Sequence, residues 1–226
     1  MTDASPRVIP FGDSGLLVVL GQRIDPEVNS AVHRLATAVR GLAAADAGFG
    51  FPVPGYASLL VPIDPLTLDP GDAAERLAAL AADAITATDR GEERSRPAVD
   101  IPTRYGGEDG PDLAEVATVA GLRPADVVEL HASVVYRVYL LGFAPGFAYL
   151  GRVPAEIATP RRATPRTKVA AGSVGIADDQ TAVYPFDTPG GWQLIGRTEV
   201  RMWDLGRDPP ALLAPGDRVR FVPARS

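Results

Sequence analysis

The chain has 226 residues, with 22 lysines and arginines against 28 aspartates and glutamates, for a net charge of −6. That length holds one large domain or two small ones, and the acidic balance gives no bulk attraction for phosphate backbones or anionic lipid. Cysteine is absent, which removes disulfides, thiolate metal sites and a cysteine nucleophile together.

The first element in chain order is SGLLVVLG, residues 14 to 21, an apolar run of strand length between turn signals. From Asp25, the residues Val28, Val32, Leu35, Val39 and Leu42 recur at the spacing of one helical face. Asp25 and Pro26 supply an N-cap and a first-turn proline for that helix. AGFGFPV and YASLLVPID read as two strands joined at Pro54-Gly55, and Leu77, Leu80, Ala81, Ala84 and Ile85 mark a second amphipathic helix. The order β-α-β-β-α is the start of a ferredoxin-like split unit. The polar stretch DRGEERSRP, residues 89 to 97, sets the expected boundary between a domain over 1–95 and another over 96–226.

Beyond it, AVDIPT is strand-like, PDLAEVATVAGL and RPADVVELHAS make two short helices, and VVYRVYLLGF is a β-branched and aromatic strand. The rest is dense in glycine and proline, with strand-sized runs KVAAGSVGIA, TAVYPF, WQLIGRT, EVRMWDL and DRVRFVPA. Many short strands between frequent turns predict a barrel or sandwich. The fold class is therefore α+β, with a small helix-rich domain before a strand-rich one.

Several chemistries lose their footing at this level. Lys168 is the sole lysine and sits in PRTKVAAGS, without the GK[ST] of a P-loop. His33 and His131 are the two histidines, no HExxH spacing exists, and no metal centre is expected. Ser173, in AAGSVGIADDQ, has no nucleophile elbow around it. The N-terminal MTDASPRVIPFGDSG lacks a basic stretch followed by an apolar one, and no window approaches the roughly 18 apolar residues of a membrane span. The expected compartment is the cytoplasm.

The candidate residues each admit two readings. In LGFAPGFAYLG, Gly142, Pro145 and Gly146 fix a turn straight after a strand, and Phe143, Phe147 and Tyr149 either line a pocket or finish a barrel corner. His131 either carries a proton for an amide leaving group or caps and packs under the strand that follows. Arg161, Arg162, Arg166 and Lys168 crowd into PRRATPRTK, as an anion site or as a solvated charged face. Gln193 offers an amide donor and acceptor beside Gly190 and Gly191, while Trp192 reads as packing.

The segments YGGEDGPDL, LHASVVYRVYLLGFAPGFAYLG, PRRATPRTKVAAGSVGIADDQTAVYP and PGGWQLIGRT, with GDSGLLV and VPGYASLLVPIDP before them, resemble one family along the whole chain. It is that of the 5-oxoprolinase B-type subunits, allophanate hydrolase subunit 1 and the KipI-type kinase inhibitors. The resemblance implies a small N-terminal α+β domain and a cyclophilin-like β-barrel. It also implies separate C-type and A-type subunits, the C-type one of related fold and similar to allophanate hydrolase subunit 2. ATP would be used by the assembled complex to open 5-oxo-L-proline to L-glutamate, with no turnover by this chain alone. The alternatives it carries are inhibition of a sensor histidine kinase and a role in allophanate or urea breakdown. A small acid amide needs a guanidinium, a hydrogen-bonding amide, an apolar wall and a proton carrier. The expectation is one barrel pocket in which His131 is catalytic and Phe143, Pro145, Gly146, Phe147, Arg161, Arg166 and Gln193 bind substrate.

Overall fold

The computed structural model describes residues 6–87 and 97–224. The chain divides into two compact units, Met1–Glu92 and Glu93–Ser226. Apart from Pro97, the polar stretch expected to form the boundary lies outside the described residues.

The first unit contains β1 (Arg7–Pro10), β2 (Gly15–Val19), α1 (Pro26–Ala45), β3 (Val53–Pro54), β4 (Ser58–Pro62) and α2 (Pro70–Thr86). Both helices begin with Asp-Pro, and both caps work alike. Asp25 accepts the backbone N–H of Glu27 and Val28, and Asp69 accepts those of Gly71 and Asp72, while the proline fills a position whose N–H would have no partner. The face predicted for α1 is the one buried, with Val32, Leu35 and Val39 inaccessible to solvent against Leu59, Val61 and Leu77. Burial of each such side chain contributes about 1.5–3 kcal/mol.

The antiparallel sheet order is β1-β2-β4-β3. This is the ferredoxin-like split arrangement, with its outer strand supplied by residues ahead of β2 instead of residues after α2. β1 carries no sequence signal because Arg7, Ile9 and Pro10 are exposed and Val8 is half-buried, so no apolar alternation marks it. The strand expected in AGFGFPV contracts to Val53–Pro54. Pro52 and Pro54 have no N–H to give to a ladder.

The second unit contains β5 (Val99–Tyr105), α3 (Leu113–Ala120), α4 (Pro124–Ser133), β6 (Val135–Leu141), β7 (Ala148–Gly151), β8 (Arg166–Val169), β9 (Ser173–Ala177), β10 (Gln180–Val183), β11 (Thr188–Gly190), β12 (Gln193–Arg197) and β13 (Arg218–Pro223). Seven of these strands close a barrel in the order β10-β7-β6-β13-β5-β12-β9. Its pairs are antiparallel except β13 with β5. The run KVAAGSVGIA is two strands, broken at Gly172, whose φ of 81° starts β9 on a new course. EVRMWDL, expected as a strand, contributes one isolated bridge, Trp203 to Ala211.

Alternation along the strands sorts side chains to the two faces of the barrel wall. Ala148, Leu150, Val174, Ile176, Val183 and Ile195 join the interior core with Tyr136 and Phe221. Their neighbours Phe147, Ala182, Tyr184 and Leu194 belong to a second cluster with Val169 and Trp192. That outer cluster is covered by the two-stranded ribbon of β8 and β11. No helix among the described residues is long and apolar enough to cross a membrane.

Candidate functional site

The outer cluster floors a half-open cavity of about 310 Å3, within the size range of small-ligand sites. Its walls come from the turn after β6 (Phe143), the entry to β7 (Phe147, just before it, and Tyr149), the hairpin of β9 and β10 (Ala177, Asp178, Gln180), Tyr184, the ribbon (Pro189, Gly190), the two residues before β12 (Gly191, Trp192) and the 160–166 segment (Arg161, Pro165). Phe147 is the hub of the aromatic wall. Its ring meets Tyr149, Phe143, Tyr184 and Trp192 edge-on, with centroids 4.9, 5.3, 5.3 and 5.6 Å away, the arrangement ring quadrupoles prefer. Gly190 permits this packing, because a Cβ there would fall onto the hydroxyl and ring of Tyr184.

Burial pushes the Tyr184 and Tyr149 phenols up, and the nearby Arg161 guanidinium only partly opposes it. Both therefore remain hydroxyls. A neutral phenol keeps its proton to donate.

Backbone strain marks the same place. Among the described residues, Phe143 (φ 70°) and Asp178 (φ 53°) are the two non-glycine residues with positive φ, and both line the cavity. A conformation of this kind costs roughly 1–3 kcal/mol and clusters at functional sites.

Asp112, just ahead of α3, fixes the segment that carries Arg161. It is buried, and its Oδ1 accepts from Arg162 at 3.0 Å and Arg166 at 2.6 Å. Its Oδ2 accepts the backbone N–H of Leu194 at 2.7 Å. Arg162 N–H donates to the Gly191 carbonyl at 2.8 Å, and Gln193 Nε2 to the Pro160 carbonyl at 3.1 Å. The segment is thus stitched to β12 on both sides of Arg161.

The expected site residues divide in consequence. Phe143, Phe147 and Arg161 meet in the cavity. Pro145 and Gly146 shape the turn without lining it; Gly146, at φ 78°, lies so close to Met202 that a Cβ would sit 2.9 Å from its carbonyl oxygen. Arg166 is committed to Asp112, and Gln193 is buried behind the wall. Lys168 pairs with Asp187 at 2.8 Å.

His131 requires a correction. It lies inside the barrel, fully buried, with ring centroids 4.6 Å from Phe221 and 5.4 Å from Tyr136. Its Nε2 is 2.9 Å from the Thr181 hydroxyl, which itself donates to the Gly175 carbonyl, so Nε2 carries the proton. Nδ1 then accepts from the Tyr105 hydroxyl at 2.8 Å. Burial lowers its pKa to about 3. Thr181 points inward and Gln180 lines the cavity, so the barrel wall separates His131 from the cavity, and its role is structural.

Asp112, Tyr184, Asp178 and the cavity face of Trp192 escape sequence reasoning. One signal is available: in FAYLG, aromatic Phe147 and Tyr149 alternate with Ala148 and Leu150, which points two rings out of the barrel and calls for a cover over them. No group of three or more His, Asp or Glu among the described residues is placed to hold a metal ion.

The family described as carboxyltransferase domain, subdomain C and D, matches residues 6–213. The chain is 42% identical to the B subunit of 5-oxoprolinase from Bacillus subtilis (strain 168) over 230 residues, covering 96% of this chain and 92% of that protein. It is 60% identical to the B subunit of 5-oxoprolinase from Escherichia coli O157:H7 over 127 residues, covering 56% of this chain and 58% of that one. The crystal structure of TTHA0988 superposes with a TM-score of 0.79 at 39% identity, covering 94% of this chain but only 40% of the longer TTHA0988 chain.

Proposed function

The chain belongs to the carboxyltransferase domain, subdomain C and D, family, and from that membership we propose that it is the B-type subunit of an ATP-dependent 5-oxoprolinase. In this reading it works in the cytoplasm with separate C-type and A-type subunits to open 5-oxo-L-proline to L-glutamate. The supporting observation is the cavity itself: one guanidinium, Arg161, without an ion pair among the described residues, shares it with an aromatic wall. The subunit naming of the relatives supports a heteromeric assembly. So does TTHA0988, in which the matched unit is part of a much longer chain.

The chain's own residues bind and orient. Arg161 takes the carboxylate of the substrate, the rings around Phe147 pack against the lactam, and the Tyr184 hydroxyl donates to the lactam oxygen. A nucleoside triphosphate does not fit this inventory. Arg162, Arg166 and Lys168, the other cations of the segment, are engaged by Asp112 and Asp187, and one guanidinium does not balance a triphosphate. In this reading ATP binds outside this cavity.

The test is glutamate formation from 5-oxo-L-proline and ATP, followed by mass spectrometry. The purified chain is expected to show no turnover, and the chain with C- and A-type subunits to be active. Arg161→Ala in that complex is expected to raise KM more than it lowers kcat. Turnover by the single chain, or an Arg161→Ala complex with unchanged KM, refutes the reading.

A further inference from the structure

Arg161 and Asp178 are the two charged side chains that line the cavity. They have opposite signs, yet neither forms an ion pair or side-chain hydrogen bond among the described residues. Their neighbours behave otherwise. Arg162, Arg166 and Lys168 are all paired, and Asp179, next to Asp178, lies 3.1 Å from Arg152. The unpaired groups are therefore the pair that faces the cavity.

Their separation is set by the backbone. Asp178 occupies the turn between β9 and β10 in the left-handed region, and its N–H donates to the Thr159 carbonyl at 2.8 Å. Thr159 and Asp178 form an isolated antiparallel bridge two residues before Arg161. On the other side, Arg162 is held to Gly191. The contact that places Asp178 thus also places the start of the arginine segment, and the two charges are held in one cavity without meeting.

A ligand that completes this arrangement carries an anionic group for Arg161 and an N–H for Asp178, because an aspartate oxygen can only accept. We infer that Asp178 is a specificity-determining residue that accepts the N–H of the ligand, so that the cavity selects small carboxylic acids with an unsubstituted amide or amine nitrogen. The inference rests on reading the cavity as a lactam-acid pocket and adds the group that recognises the nitrogen. Asp178 is exposed at the cavity mouth, so the discrimination comes from the bound ligand itself: the N-methyl analogue offers no proton to the carboxylate and sets a methyl group against it.

The test uses Trp192, in the cavity wall, as a fluorescence probe of binding to the purified protein. The ligands are 5-oxo-L-proline, its N-methyl derivative, and 2-pyrrolidinone, which lacks the carboxylate. Asp178→Gly suits the positive φ and removes the acceptor, while Asp178→Asn suits the same turn and retains an acceptor oxygen. The unmodified protein is expected to bind 5-oxo-L-proline about tenfold or more tighter than the N-methyl compound. Asp178→Gly is expected to abolish that preference by weakening the parent ligand alone, and Asp178→Asn to keep part of it. Arg161→Ala is expected to weaken both acids equally and leave 2-pyrrolidinone unchanged. Equal binding of the two acids by the unmodified protein, or equal losses for both in Asp178→Gly, overturns the role of Asp178 while the pocket stands. Absence of saturable 5-oxo-L-proline binding, or binding indifferent to Arg161, overturns the lactam-acid reading and this inference with it.

Discussion

Acidification is expected to unfold the barrel partly through His131. In the unfolded chain its imidazole takes a proton near the ordinary pKa of about 6.5, whereas burial in the barrel lowers that value to about 3. Between these limits the unfolded state binds one more proton than the folded state, so stability rises with pH through the window and is lost as pH falls from 6.5 toward 3. One pKa unit corresponds to about 1.4 kcal/mol, which makes the His131 share of the loss about 2 kcal/mol between pH 7.5 and pH 5. The hydrogen bonds point the same way: with Nε2 donating to Thr181 and Nδ1 accepting from Tyr105, a second proton would remove the acceptor Tyr105 uses. Urea unfolding at pH 7.5 and 5.0, followed by tryptophan fluorescence, isolates the effect, because Trp192 and Trp203 both lie in the barrel unit. His131→Gln can donate and accept without titrating. Whatever it costs at pH 7.5, the variant should lose about 2 kcal/mol less than the unmodified protein on going to pH 5. Carboxylate contributions cancel in that difference. The same pH dependence in both proteins would show that the imidazole is not held neutral, and the assignment of His131 to the barrel interior would fail.

Asp112→Asn should destabilise the barrel by about 3 kcal/mol, the low end for removing one partner of a buried ion pair, because Arg162 and Arg166 retain some contact with water. Urea unfolding checks it, with Glu115→Gln as a control expected within about 0.5 kcal/mol, since Glu115 is exposed and 3.7 Å from Arg162. Gly190→Ala should cost about 1–3 kcal/mol as the added methyl pushes the buried Tyr184 side chain out of its packing against Phe147. A lowered Tm with weakened 5-oxo-L-proline binding is the expected result, and an unchanged Tm counts against the packing described.

The helices of the first unit are legible because each writes the same message twice. The Asp-Pro starts and the spacing of Val32, Leu35 and Val39 both specify the helix and its buried face. β1 is not legible, since an exposed edge strand is held by its ladder to β2 and needs no apolar pattern of its own. EVRMWDL misleads for the opposite reason. Met202 is buried and Trp203 half-buried, so the apolar run is real, but the segment packs against the Gly146 turn without joining a ladder.

The candidate site fails or succeeds on a single question, which face of the barrel wall each residue occupies. His131, the 142–147 turn and the arginine segment carry the right chemistry for one pocket, and sequence distance gives no reason to separate them. Strand alternation does separate them. Phe147 and Tyr149 point outward, Thr181 points inward to His131, and a one-residue shift along β10 decides whether a side chain meets the cavity or the core. Within PRRATPR the same geometry distributes identical residues to different tasks. Arg162 and Arg166 reach back to Asp112 and hold the segment, so that Arg161 alone is left facing the cavity. The cluster is therefore not a uniform anion site. Two of its guanidiniums are the clamp that presents the third, and substitution at Arg162 or Arg166 should be read out first in stability, whereas substitution at Arg161 should be read out in ligand affinity.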